Sequence, residues 1–193
     1  KMKKLLAIMV LSLCLIIPSK AENSKDFEIA GMSLGDSLLN YFTKEEIKKN
    51  SKYLYKNKKY YTFAKRTENN DIYEVIQISI KDNDDKYTIE NLSGKILFQN
   101  NHAECNKKRS LIVKDITKIF SKNIEIKTDE GYEMPSDKTG KSVNDATFFY
   151  FPNGSVASVE CTDWAKEMRY KDNLKVRIFS KEYNYWLTDE AFK

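Results

Sequence analysis

Two kinds of hydrophobic periodicity alternate along the chain. In 36–49, apolar residues recur at helical spacing, which predicts one helix or a helix-turn-helix. The period then changes to two, which is typical of strands whose two faces differ in polarity. Three strands are predicted in this region, in 60–65, 72–80 and 87–98. Gly94 lies inside the third of them and predicts a bulge there.

The second half of the chain opens with another helical pattern. Asn101 and Glu104 are three residues apart, as in a capping box, so Asn101 is predicted to cap the helix. The residues that follow at helical spacing would form one stripe toward the core. They are Cys105, Arg109, Ile112, Val113, Ile116, Ile119 and Phe120.

Strand patterns return after this helix. Asn153-Gly154 is a strong hairpin signal between the segments 146–151 and 155–162. A two-residue turn there predicts that Phe151 pairs with Val156. A last strand, 174–179, alternates in polarity. Its inward residues would be Leu174, Val176 and Ile178, and its outward residues Lys175 and Arg177.

The order of these elements predicts the fold class. Most links between strands are too short for parallel crossovers, so the sheet should be mostly antiparallel. We therefore predict an α+β fold with two helical segments packed on the sheet, in the order helix, strands, helix, strands. This order raises duplication of the halves 27–99 and 100–193 as a hypothesis, and the sequence shows no residue-level repeat between them. The polar segment 127–144 is predicted to be a mobile loop.

The N-terminus predicts export. Basic residues precede an apolar run, 5–17, and Ser19 and Ala21 occupy the −3 and −1 positions of a cleavage site. Residues 1–21 are thus interpreted as a signal peptide, and 22–193 as a single domain. The run is shorter than the roughly 20 residues that span a bilayer, so no stable membrane anchor is expected after cleavage. The predicted location is periplasmic or secreted.

Charge and composition change this picture little. The formal charge is +5, and four lysines of 1–21 supply most of it, so the mature chain is nearly neutral. That argues against nucleic acid as a partner. The excess of Lys over Arg disfavours bidentate phosphate recognition. It also indicates the coding bias of an AT-rich bacterial genome.

Two cysteines remain after cleavage, Cys105 and Cys161. An even number in an oxidising compartment predicts one disulfide, and both side chains should point into the interface between helix and sheet. Two cysteines and the single histidine do not supply a tetrahedral metal site. No cofactor and no metal are predicted.

One short motif suggests an enzyme. Gly35-Asp36-Ser37-Leu38 resembles the signature of the GDSL (SGNH) esterases and lipases, which implies that Ser37 is a nucleophile. That family also needs an Asp-x-x-His motif for its base. Here the only histidine is His102, and Gln99 stands three residues before it. A serine hydroxyl is a poor nucleophile without a base, and His102 is the only histidine that could serve as one. The esterase hypothesis therefore requires Ser37 and His102 to form a catalytic pair.

Helix entry is the other interpretation of this region. The overlapping G-x-S-x-G pattern in 31–35 predicts a turn into a helix, capped by Ser33 or Asp36. The segment 31–39 is also similar to periplasmic envelope proteins whose fold is related to β-lactamase inhibitory protein. That resemblance implies helices laid over a small antiparallel sheet. Taken whole, the sequence resembles exported proteins of small AT-rich bacterial genomes.

These observations leave three hypotheses for function. The leading one is an exported periplasmic protein that is a non-catalytic binding or interaction module. The first alternative is a secreted GDSL-type esterase. The second is an envelope-assembly or chaperone-like protein that pairs through an open sheet edge. The expected partner is an envelope protein or a small ligand, and the sequence identifies neither.

Overall fold

Eight strands form one fully antiparallel sheet in a computed structural model of the chain, which describes residues 24–67, 72–98, 101–120, 124–134 and 136–193. The predicted signal peptide, 1–21, lies outside the described residues. The strands are β1 (Ser51–Tyr53), β2 (Tyr60–Arg66), β3 (Val75–Lys81), β4 (Asn91–Leu97), β5 (Glu125–Glu133), β6 (Val143–Tyr150), β7 (Val156–Asp163) and β8 (Asn173–Phe179). The helices are α1 (Lys44–Lys49), α2 (His102–Ile119) and α3 (Lys181–Asp189).

The strand order is β1-β2-β3-β4-β8-β7-β6-β5. Each half of the chain contributes a meander of four strands, and the two meanders meet where β4 pairs with β8. The α+β class and the antiparallel sheet are confirmed. The predicted element order is only approximate, because each half has four strands and a third helix follows the last strand. Duplication of the halves stays a hypothesis.

One face of the sheet carries the main core. Ile76, Ile78 and Ile80 of β3 share this face, and so do the apolar residues of β8. Helix α2 packs over β7 and β8, and the disulfide between Cys105 and Cys161 ties it to the sheet. Asn101 caps α2 as predicted, since its side chain accepts a hydrogen bond from the Glu104 amide. Ile119 is an exception to the predicted stripe and is exposed.

Helix α3 covers one end of the opposite face. Ser180 caps it, with its side chain accepting from the Tyr183 amide. Tyr183 and the fully buried Trp186 then pack against Tyr60 of β2 and Phe179 of β8 in a second, smaller core. This helix was missing from the sequence prediction. Its apolar contact is made by aromatic residues three apart, a stripe too short to register as a periodic pattern.

The predicted loop 127–144 is wrong over its first half, where β5 lies. Eight of the nine residues of β5 are exposed, so its sequence has no alternation of apolar and polar residues. It is nevertheless paired with β6 along its length, with a shift in register between Asp129 and Tyr132. An edge strand uncovered on both faces lacks the pattern by which strands are recognised.

The predicted hairpin register is wrong by one residue. The turn is longer than two residues, since the Phe151 amide donates to the Ser155 carbonyl, and Tyr150 is the residue that pairs with Val156. Asp145 rather than Ala146 therefore lies opposite Cys161. A one-residue shift exchanges the faces of a strand, so Phe149 and not Phe148 joins the main core.

Gly94 does not mark a bulge, because β4 pairs with both neighbours in continuous register. The ring of Tyr73 lies over it instead, 2.4 Å from where a Cβ atom would stand. Glycine is therefore required at this position by packing.

Candidate functional site

The centre of the sheet's second face is polar and lies beside the end that α3 covers. Strand alternation places Lys95 of β4, Lys175 and Arg177 of β8, and Glu160 of β7 on this face, because their neighbours in sequence belong to the main core. We call this surface the open face. The central polar cluster is defined as Ser93, Lys95, Ser158, Glu160, Lys175 and Arg177.

Glu160 is the acidic centre of the cluster. Its Oε2 atom lies 2.7 Å from the Lys175 Nζ atom, and its Oε1 atom lies 3.9 Å from Arg177 Nε. Ser158 donates a further hydrogen bond to Oε1, at 2.6 Å. Burial alone would raise the pKa of Glu160, but the charges of Lys175 and Arg177 and these hydrogen bonds outweigh it and lower the pKa to about 2. Glu160 is therefore charged at neutral pH.

Lys95 is in a different position. It lies directly opposite Lys175 in the pairing of β4 with β8, so two cations face each other. Among the described residues, no carboxylate lies within ion-pair distance of its amine. Burial, reinforced by the charge of Lys175, lowers the pKa of Lys95 to about 8. Like charges directly opposite on a sheet are destabilising, and here both are partly desolvated.

The Arg177 side chain is held in place by an aromatic ring, but not all of its hydrogen-bond donors have a partner. Its guanidinium lies over the ring of Phe179, 4.5 Å from the ring centroid. Its Nε atom is buried and has no hydrogen-bond partner among the described residues. The side chains of Glu160, Lys175 and Arg177 are only 5%, 16% and 19% exposed. Three cations thus share one carboxylate in a largely buried setting.

Another charged group among the described residues has a more even balance of charge. The shallow depression of about 450 Å³ beside β3, for example, contains both lysines and carboxylates. There Lys59 pairs with Glu190 at 3.1 Å, and nearby Lys81 pairs with Glu182 at 2.7 Å. The central polar cluster carries two positive charges more than its carboxylate neutralises. Chemically, it can accept an anion.

The structure gives Ser37 and His102 separate hydrogen-bond partners. Ser37 donates to the Lys86 carbonyl at 2.6 Å and caps the turn Leu38–Asn40 by accepting from the Leu39 amide. The predicted cap was Ser33 or Asp36, which is wrong because Asp36 instead accepts from the Ser33 amide. The hydroxyl of Ser37 is therefore engaged with backbone.

His102, the first residue of α2, belongs to a hydrogen-bond network between this helix and the sheet. Its Nε2 atom lies 2.7 Å from Asp145 Oδ2, and Asn106 donates to the same carboxylate. The other Asp145 oxygen accepts from the Gly131 amide at 2.7 Å, in the irregular part of β5. Burial tends to raise the pKa of Asp145, but these hydrogen bonds and the His102 charge lower it. The network fixes the position of β5 against α2.

Lys175 and Arg177 lie on the outward face of β8, as predicted, but no pattern in the sequence indicated the cluster. Alternation along β8 shows which way its side chains point. It does not show which strands lie beside β8. The excess of cations appears only when Lys95 is placed opposite Lys175, across 80 residues of sequence.

Comparisons of the chain with protein-family models, with curated proteins and with solved structures found no match. Of the helices among the described residues, none is long and apolar enough to cross a membrane. The same part of the chain contains no group of three or more His, Cys, Asp or Glu side chains that could hold a metal ion. Function has to be inferred from the chemistry of the open face.

We expect the substitution Lys95→Met to stabilise the protein at pH 7. It keeps the aliphatic stem and removes a cation that is buried opposite Lys175. A gain of ~1 kcal/mol would raise the thermal midpoint by about 2–4 °C in a chain of this size. Circular dichroism melting curves measure this, with Lys108→Met, at an exposed position on α2, as the matched control.

The gain should depend on pH with a definite sign. The pKa of Lys95 in the folded protein, about 8, lies below its ordinary value of 10.5. Between these values the unfolded chain binds more protons, so the stability of the unaltered protein rises with pH. The advantage of Lys95→Met should be complete below pH 8 and shrink toward pH 10.5. A lower midpoint than the unaltered protein at pH 7 would contradict this description of Lys95.

Proposed function

We propose that this chain is an exported, non-catalytic binding module that takes an anionic ligand on its open face. One observation carries the proposal: the central polar cluster contains three cations and one carboxylate, and its side chains are largely buried. An anionic group placed beside Lys95 and Arg177 would neutralise the positive charge that Glu160 leaves unbalanced.

The energetics of the cluster support a role in binding. Desolvated like charges lower stability, so a chain selected for stability alone would have an apolar or neutral residue at position 95. Strongly shifted pKa values concentrate at functional sites for this reason. The aromatic Phe179 fixes the Arg177 guanidinium before any ligand arrives, which reduces the entropy lost on binding.

A non-catalytic role is favoured by the surroundings of Ser37. Its hydroxyl donates to a backbone carbonyl and His102 contacts Asp145 and Asn106, so neither contributes to a pair of nucleophile and base. The esterase alternative therefore lacks geometric support.

The edge of the sheet at β5 gives little support to the third hypothesis. The exposed edge strand β5 carries charged side chains and an irregular register near Asp129. Charges and bulges are devices that discourage the addition of another strand. The open face, rather than the edge, is the surface that we propose for binding.

Calorimetric titration tests whether the open face binds anions. Inorganic phosphate, succinate and poly-glutamate should be titrated separately at pH 7 and constant ionic strength. We expect at least one of them to bind the unaltered protein and the Lys108→Met control equally, and to lose about tenfold in affinity with Lys95→Met. Absence of binding by all three, or equal binding by all proteins, would contradict the proposal.

Export is tested separately by mass spectrometry of the protein from cells. We expect the mature chain to begin at Glu22 and to yield a linked peptide pair containing Cys105 and Cys161. The bond closes a separation of 56 residues, for which loop-entropy arguments give roughly 4 kcal/mol of stabilisation. An intact N-terminus with both thiols free to alkylation would contradict export.

A further inference from the structure

The cations of the central polar cluster form a compact triangle on two adjacent strands. Lys95 and Lys175 are directly opposed in the pairing of β4 with β8, which places their Cβ atoms about 5 Å apart. Arg177 follows Lys175 by two residues on the same face, about 7 Å along the strand. The three cationic side chains therefore start from one small patch of the sheet, on two adjacent strands.

Glu160 already supplies the carboxylate that this triangle would otherwise attract. It contacts Lys175 at 2.7 Å and approaches the Nε atom of Arg177 at 3.9 Å. Two positive charges remain after this neutralisation. A ligand carboxylate would cancel only one of them, whereas a compact dianion would cancel both.

We propose that the central polar cluster binds the phosphoryl group of a phosphomonoester. This inference rests on the proposed function, and it specifies the chemical class of the anion. A phosphoryl group carries a charge of about −1.5 to −2 at pH 7 and presents three acceptor oxygens. Lys95 offers its ammonium and Arg177 its partly exposed guanidinium.

The donors present suit a tetrahedral anion better than a planar one. Arg177 is the single guanidinium in the cluster, and Glu160 lies beside it. The remaining donors are ammonium groups, which act on phosphate as point charges and impose no planar geometry. A sequence poor in arginine is therefore compatible with phosphoryl binding once two lysines and one arginine converge.

The phosphoryl group has two plausible sources, a soluble ester and a lipid headgroup. Glycerol phosphate represents the first, and vesicles containing phosphatidic acid represent the second. Sulfate provides a permanent tetrahedral dianion, acetate a monoanion, and succinate a dianion whose charges are separated. These probes differ in charge and shape while sharing the same general electrostatic attraction.

The experiment compares affinities of the full chain at pH 7 and constant ionic strength. We expect glycerol phosphate and sulfate to bind at least about tenfold more tightly than acetate or succinate. Lys95→Met should lose this preference, and Lys108→Met should retain it. Melting curves show that each variant is folded. Sedimentation with phosphatidic acid vesicles, but not with phosphatidylcholine vesicles, would support a lipid source, and binding of glycerol phosphate alone would support a soluble ester.

Two results separate failure of this inference from failure of the proposed function. If acetate or succinate binds as tightly as glycerol phosphate in a manner that depends on Lys95, the phosphoryl assignment is overturned and anion binding stands. If no anion binds, both are overturned. If glycerol phosphate binds the unaltered protein and Lys95→Met with equal affinity, the central polar cluster is not its binding site.

Discussion

The pairing of β4 with β8 is the contact on which both the fold and the candidate site depend. It joins the two four-stranded meanders into one sheet, with seven residues of each strand in register from Asn91–Phe179 to Leu97–Asn173. On the core face it places Gly94 beside Val176 and Leu92 beside Ile178. On the open face the same register sets Lys95 opposite Lys175. One pairing thus provides apolar contact on one side and charge repulsion on the other.

The two faces of this junction differ in what stabilises them. The core face buries apolar side chains under α2, which the disulfide holds in place. The open face contains a carboxylate, Glu160, that offsets only part of the positive charge around it. Burial lowers the pKa of Lys95, and repulsion from Lys175, which is poorly screened there, lowers it further. A ligand that supplies negative charge would relieve this repulsion, so the proposed binding would also stabilise the fold.

Patterns within a single segment of sequence predicted those features of the fold that depend on that segment alone. The alternation in β3 and β8, the cap at Asn101 and the pairing of Cys105 with Cys161 were all predicted from sequence. Strand β5 was missed because an edge strand exposed on both faces shows no alternation. The register of β6 was wrong because the length of a hairpin turn, and not only its Asn-Gly signal, sets which residues pair.

The candidate site was beyond local prediction for a different reason. Each of its residues looks like an ordinary outward-facing polar residue within its own strand. Their significance comes from neighbours that are distant in sequence, since β4 and β8 belong to different halves of the chain. Strand order, which no single-strand pattern contains, decides whether Lys95 faces an acid or another base.

The central claim is that Lys95 is a partly desolvated cation whose charge a negatively charged ligand would neutralise. Nuclear magnetic resonance of the protein with ¹³C-labelled lysine measures the pKa of the Lys95 amine directly. We predict a value of about 8 in the free protein and a rise when sulfate is added, since a bound anion favours the charged amine. An amine that titrates at its ordinary value of 10.5 and does not respond to sulfate would contradict the account.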